Sequence, residues 1–193
     1  MIDEFAKEYL HETLQWSREA LLSKLDGLSE YDVRRPLTVT GTNLLGLVKH
    51  LTRTEVMYFG DIFDRPVPEL VPWRVEGAED GIDMWASEQE TRAEIIDRYR
   101  LSWEHSAATI DATAIDAPVH VPWWPSPDAK LFNVLVHVLN EIARHTGHAD
   151  ILREQIDGVI GVAEQSSIQD RRGAAYWEER RAKIEQAARV FDH

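Results

Sequence analysis

Apolar residues in this chain recur at helical rather than strand spacing and group into five segments. Leu10, Leu14, Leu21 and Leu25 share one stripe and predict a helix over about 3–26, stopped near Gly27. Phe5 and Trp16 lie off that stripe, which predicts that the helix is buried on two sides. Leu44, Leu47, Val48, Leu51 and Tyr58 predict a second helix over about 43–63, with Thr40 or Thr42 as its cap. It ends near Arg65-Pro66 and carries His50 at the edge of its apolar stripe. Pro66, Pro68, Pro72, Gly77 and Gly81 mark an irregular connection over 64–84. Ser87 followed three residues later by Glu90 has capping-box spacing and opens a third helix over about 87–112. Its apolar positions are Ile95, Ile96, Tyr99, Trp103 and Ile110. A second connection holds Pro118, Pro122, Trp123, Trp124, Pro125 and Pro127. The fourth helix runs from near Asp128 to about Gln155, with Asp157-Gly158 as its stop; residues 158–171 read as a linker, and a polar helix follows over about 172–190. No segment alternates as a strand would, and no internal repeat is visible.

The expected fold is all-α: a single domain over residues 1–193, with a four-helix bundle over about 1–158 and an additional C-terminal helix packed alongside. A length of 193 residues, 44% of them hydrophobic and 28% charged, suits one globular unit with a real core. The formal charge of −13 argues against a nucleic-acid surface. No apolar run is long enough to span a bilayer, and the N-terminus lacks the basic-then-apolar order of a signal peptide, so a cytoplasmic protein is expected. The absence of cysteine excludes disulfides, thiolate metal sites and a protein-borne thiol nucleophile. Any sulfur chemistry must therefore use a small-molecule thiol.

The candidate chemistry lies in the fourth helix. Residues four apart differ by about 40° around a helix, so Glu141, His145 and His148 share a narrow stripe with His137 beside it. That stripe overlaps the apolar face of Leu131, Val134, Val138, Ala149 and Leu152, so the polar cluster should point inward, where an unpartnered carboxylate is costly. A divalent cation would resolve that cost, and imidazole and carboxylate are suitable ligands for zinc, nickel or iron. One helix supplies only part of a site; His50, on an otherwise apolar helix that should pack nearby, is the best further ligand. A hydrogen-bonded polar network fits the same stripe, and the residues alone do not choose between the two. Arg144 and Arg153 are candidates for contacting an anionic substrate, and Trp123 and Trp124, with Trp73, for lining a pocket mouth.

The segment Glu141-Ile-Ala-Arg-His145-Thr-Gly-His148-Ala-Asp150-Ile-Leu-Arg-Glu154-Gln-Ile-Asp157-Gly158 resembles the signature of the DinB-like superfamily, in its actinobacterial branch related to mycothiol-dependent maleylpyruvate isomerase. Asn43-Leu-Leu-Gly-Leu-Val-Lys-His50-Leu resembles that superfamily's second-helix segment. The resemblance implies a four-helix bundle, commonly dimeric, that holds a metal through one histidine of the second helix and a His-x-x-x-His pair of the late helix. Glu141 and His145 occupy the pair's positions here, and the isomerase relatives show a similar Glu-x-x-x-His arrangement. His50, Glu141 and His145 are thus the implied ligands, with zinc foremost and nickel or iron as alternatives. His148, on the other side of His145 from Glu141, becomes an alternate ligand or a base. The expected function is a metal-dependent transferase or isomerase acting on a small molecule with mycothiol or another low-molecular-weight thiol. A metal-dependent hydrolase and a non-catalytic, stress-related metal-binding protein are the alternatives.

Overall fold

Burial of the leucine stripes sets the architecture. The computed structural model describes residues 4–160 and 172–192. Helix α1 spans Glu4–Ser23, and Leu14, Leu21 and Leu25 are fully buried. Only one side of α1 packs: Phe5 is 74% exposed and Trp16 49% exposed, so the expectation of burial on two sides fails. A turn through Gly27, at φ +74°, leads into a short helix α2, Glu30–Arg34. It buries only Val33, too little for periodicity to reveal.

Helix α3, Leu44–Phe59, starts at Asn43, whose side chain accepts a 2.8 Å hydrogen bond from the Gly46 amide. The threonines expected to cap it are occupied in their own turn, where Thr38 Oγ1 accepts from the Thr42 amide. Helix α4, Arg92–Ala112, begins five residues later than the sequence predicts. Thr91 and Glu94 form its capping box. The Ser87–Glu90 pair closes a turn instead, because Glu90 is drawn 2.9 Å from Lys49 Nζ. Two three-residue strands, β1 (Pro118–His120) and β2 (Asp128–Lys130), pair antiparallel with Val119 opposite Ala129. They are too short to show alternation. Helix α5, Leu131–Asp157, stops at Gly158, which adopts φ +79° and closes the last turn onto Glu154. Helix α6, Ala174–Arg189, forms as predicted but buries none of its side chains, so it contributes nothing to the core it was expected to pack against. Residues 161–171 of the predicted linker lie outside the described residues.

Hydrogen bonds between helices fix their directions. Arg153 of α5 donates to the carbonyls of Lys24 and Asp26 after α1, and Lys24 pairs with Asp150, so α1 and α5 run parallel. Lys49 meets Glu90 at one end of α3 and Thr109 donates to the Phe59 carbonyl at the other, so α3 and α4 are also parallel. Arg92 at the start of α4 donates to carbonyls at the end of α1, which sets the two pairs antiparallel. The bundle is therefore up-down-down-up, and the long connection 60–91, which joins the parallel helices α3 and α4, is the crossover such an order requires. At its centre Arg18 and Glu55, both with fully buried side chains, form a paired bond (2.8 and 2.7 Å), and Ser106 donates to the same carboxylate at 2.6 Å. No helix among the described residues is long and apolar enough to cross a membrane.

Candidate functional site

The antiparallel contact of α3 with α5 builds the site. On α3, His50, Thr54 and Tyr58 follow one another at four-residue spacing along one face; on α5, His145, Glu141 and His137 do the same in the opposite direction. The ends of these rows meet. The rings of His50 and His145 stand 4.9 Å apart at 68°, and those of Tyr58 and His137 stand 4.7 Å apart. Between them Glu141 Oε2 lies 3.7 Å from His145 Nε2. The seam thus carries a strip of titratable groups flanked by the core side chains Leu51, Val138 and Ile142.

His145 is the most deeply set of the α5 donors, its side chain 12% exposed against 27% for Glu141. Burial, joined by the neighbouring His50 and His148, pushes its pKa down to about 4, so at neutral pH it is a neutral imidazole with a lone pair to offer. His148 does not point inward as its stripe position suggested. It is exposed, with Nδ1 3.4 Å from His145 Nδ1. His148 also contributes to a cavity of about 350 Å³ whose wall includes Thr38, Thr40, Thr42, Leu37 and Ile151.

His50 has a partner that the sequence did not reveal. Its Nδ1 lies 2.8 Å from Oδ2 of Asp83, a buried carboxylate in the connection between α3 and α4; Arg53 Nη1 approaches the same oxygen at 3.4 Å. Burial raises the Asp83 carboxyl, but the His50 hydrogen bond and the charges of His50 and Arg53 outweigh it and hold the group below its ordinary value. An ionised carboxylate only accepts, so a proton of His50 sits on Nδ1 facing Asp83, and the neutral form of the ring keeps its lone pair on Nε2. Among the described residues no set of three or more His, Asp or Glu side chains is gathered closely enough to hold a metal ion. His50 and His145 come together, and Glu141 and His148 each stand next to His145.

The other candidates separate into two groups. Trp123 and Trp124 do reach the seam: both indoles donate to the Tyr58 hydroxyl, at 3.0 and 3.1 Å, and Trp124 packs 5.0 Å from His137. These bonds hold the 113–130 connection over the α3/α5 seam. Trp73 lies elsewhere, beneath the Lys49 ammonium. Arg144 is exposed on α5. Arg153 is buried, its guanidinium spent on Asp157 and the Lys24 and Asp26 carbonyls, so it ties α5 to α1 rather than facing a substrate. The one signal that could have pointed to Asp83 is Gly46, a glycine inside a strong helix, where it costs about 1 kcal/mol unless another backbone needs the space.

A family model described as mycothiol-S-transferase matches residues 9–158. No curated protein matches the chain. Among solved structures the chain is similar to a conserved protein from Enterococcus faecalis, with 15% sequence identity and a TM-score of 0.59, over 79% of this chain and 97% of that one. At that identity the likeness speaks for the fold alone, and the matched family region ends where α5 ends.

Proposed function

The chain belongs to the mycothiol-S-transferase family, a DinB-like family, and from that premise we propose that it transfers the sulfur of mycothiol, or a closely related small thiol, to an electrophilic small molecule at the His50–Glu141–His145 seam. The observation that carries the reading is the meeting of His50 and His145 from two different helices, with the Glu141 carboxylate beside His145. A chain without cysteine must receive its thiol from outside, which agrees with that family.

The donor set fits a divalent cation in kind. Asp83 commits His50 Nδ1 and frees Nε2, burial keeps His145 neutral, and Glu141 adds a hard oxygen. Zinc, nickel and iron all accept these ligands, zinc being our choice. Held there, the cation would supply Lewis acidity that lowers the pKa of a thiol placed against it. The protein's own groups do the remaining work. Sulfur forms a bond to the electrophilic carbon, the displaced electron pair leaves with the departing group, and the thiol proton passes to a base. His148, exposed beside His145, is the group placed to take that proton. The cavity walled by His148 and the threonines of residues 38–42 receives the polar body of the thiol, and the Tyr58–Trp123–Trp124 cluster covers the other end of the seam.

The test is to incubate the metal-loaded protein with mycothiol and a panel of electrophiles while following loss of free thiol. S-conjugates that form with the parent and not with His145→Ala support the reading. Turnover of esters or amides without thiol, and none with it, would replace it with a hydrolase.

A further inference from the structure

One face of α3 is given over to holding three residues of the long connection. Asn43, Gly46, Lys49, His50 and Arg53 recur at three- and four-residue steps, and each touches the segment 83–85. Asn43 Nδ2 donates to the Met84 carbonyl at 3.3 Å, and Lys49 Nζ donates to the Trp85 carbonyl at 3.0 Å. His50 and Arg53 take the Asp83 carboxylate. Gly46 makes the approach possible: a Cβ built there would sit 1.9 Å from the Met84 carbonyl oxygen and 2.5 Å from its carbon, and backbone cannot yield as a flexible side chain can. A mid-helix glycine thus trades helix propensity for a close backbone contact. Gly81 shapes the entry to this segment, at φ +77°.

The effect falls on one atom. Asp83 is 5% exposed, and the polar groups meeting its Oδ2 are His50 Nδ1 and Arg53 Nη1. Lys49, the next residue of α3, is fixed separately by Glu90 and the Trp85 carbonyl. The segment is therefore clamped on both sides of the carboxylate, and a free imidazole that would rotate and exchange tautomers is held to one orientation.

We propose that Asp83 is the positioning residue of the site: clamped against Gly46, it holds the His50 ring with its proton on Nδ1 and its lone pair on Nε2, the form in which His50 serves as a donor. The chemical reason for such a partner is general. A carboxylate on the far nitrogen fixes the tautomer and raises the basicity of the near one, and its loss typically lowers metal affinity by about 10- to 100-fold. The consequence for metal affinity rests on the function proposed above; the hold on His50 does not.

The experiment separates the two. Imidazole ¹⁵N shifts of His50 are recorded in metal-free parent, Asp83→Ala and Gly46→Ala proteins, and zinc affinity is measured by competition with a chelator. The parent should show His50 as the Nδ1–H tautomer. Asp83→Ala should lose that preference and bind zinc about 10- to 100-fold more weakly. Gly46→Ala, which leaves both His50 and Asp83 in the chain, should shift in the same direction because the added methyl lifts the segment. Backbone amide spectra of both variants check that the bundle remains folded. A His50 tautomer unchanged in folded Asp83→Ala overturns the proposal, as does Gly46→Ala with the parent's spectrum. Zinc binding absent from the parent, with the tautomer still set by Asp83, would remove the metal and leave the positioning role standing.

Discussion

The depressed pKa of His145 makes the stability of the metal-free protein depend on pH in a calculable way. Its folded-state pKa is about 4 against 6.5 for an ordinary histidine, the largest cause being burial. Between those values the unfolded chain binds a proton that the folded protein refuses, so stability rises with pH through this window and is lost as pH falls. The contribution is complete above about pH 7. Full protonation in the unfolded state alone would cost about 3 kcal/mol, and by pH 5 about 2 kcal/mol has already gone. His137, also lowered by burial, adds in the same direction but is present in any His145 variant. The difference between parent and His145→Gln therefore isolates the effect. Urea unfolding of the chelator-treated proteins at pH 8 and pH 5 should show the parent losing about 2 kcal/mol more than the variant. A difference between the two that stays within about 0.5 kcal/mol across this range would refute the claim that His145 is held neutral by its surroundings.

Three further outcomes follow from the packing. Glu55→Gln should destabilise the bundle by about 3–5 kcal/mol in urea unfolding, because it leaves the fully buried Arg18 without its counter-charge. The double variant Arg18→Met/Glu55→Leu should recover much of that loss. Thr91→Ala should cost about 1 kcal/mol by the same assay, since Thr91 accepts from the Glu94 amide at the head of α4. Removal of residues 173–193 should move the thermal midpoint by no more than about 2–4 °C, because α6 buries no side chain; a larger drop would show that this helix supports the bundle.

The helices and their core faces could be read in advance because a leucine stripe must find a partner. Val134, Val138, Ala149 and Leu152 are all buried, as their spacing on one face requires. Helix starts were less legible. Ser87–Glu90 and Thr91–Glu94 both carry the capping-box pattern in tandem, and only the tertiary pull of Lys49 on Glu90 decides which one opens α4. On the site, His50 could be paired with the Glu141–His145 stripe because an imidazole on an apolar helix stands out. The spacing points His148 inward, but it lies one further turn along a stripe that has begun to leave the core and is exposed; its neighbour Ala149 is the buried one. Asp83 could not be found by periodicity at all. It lies in an irregular connection, 33 residues from its partner, and is brought there by the close backbone approach at Gly46 together with the Asn43 and Lys49 hydrogen bonds to the Met84 and Trp85 carbonyls.

Metal content tests the central claim most directly. Elemental analysis of freshly purified protein should find about one divalent ion per chain, and His50→Ala and His145→Ala, each still folded, should both lose it. A parent without metal, or a His50 variant that keeps a full complement, would contradict the joining of α3 and α5 around a shared cation.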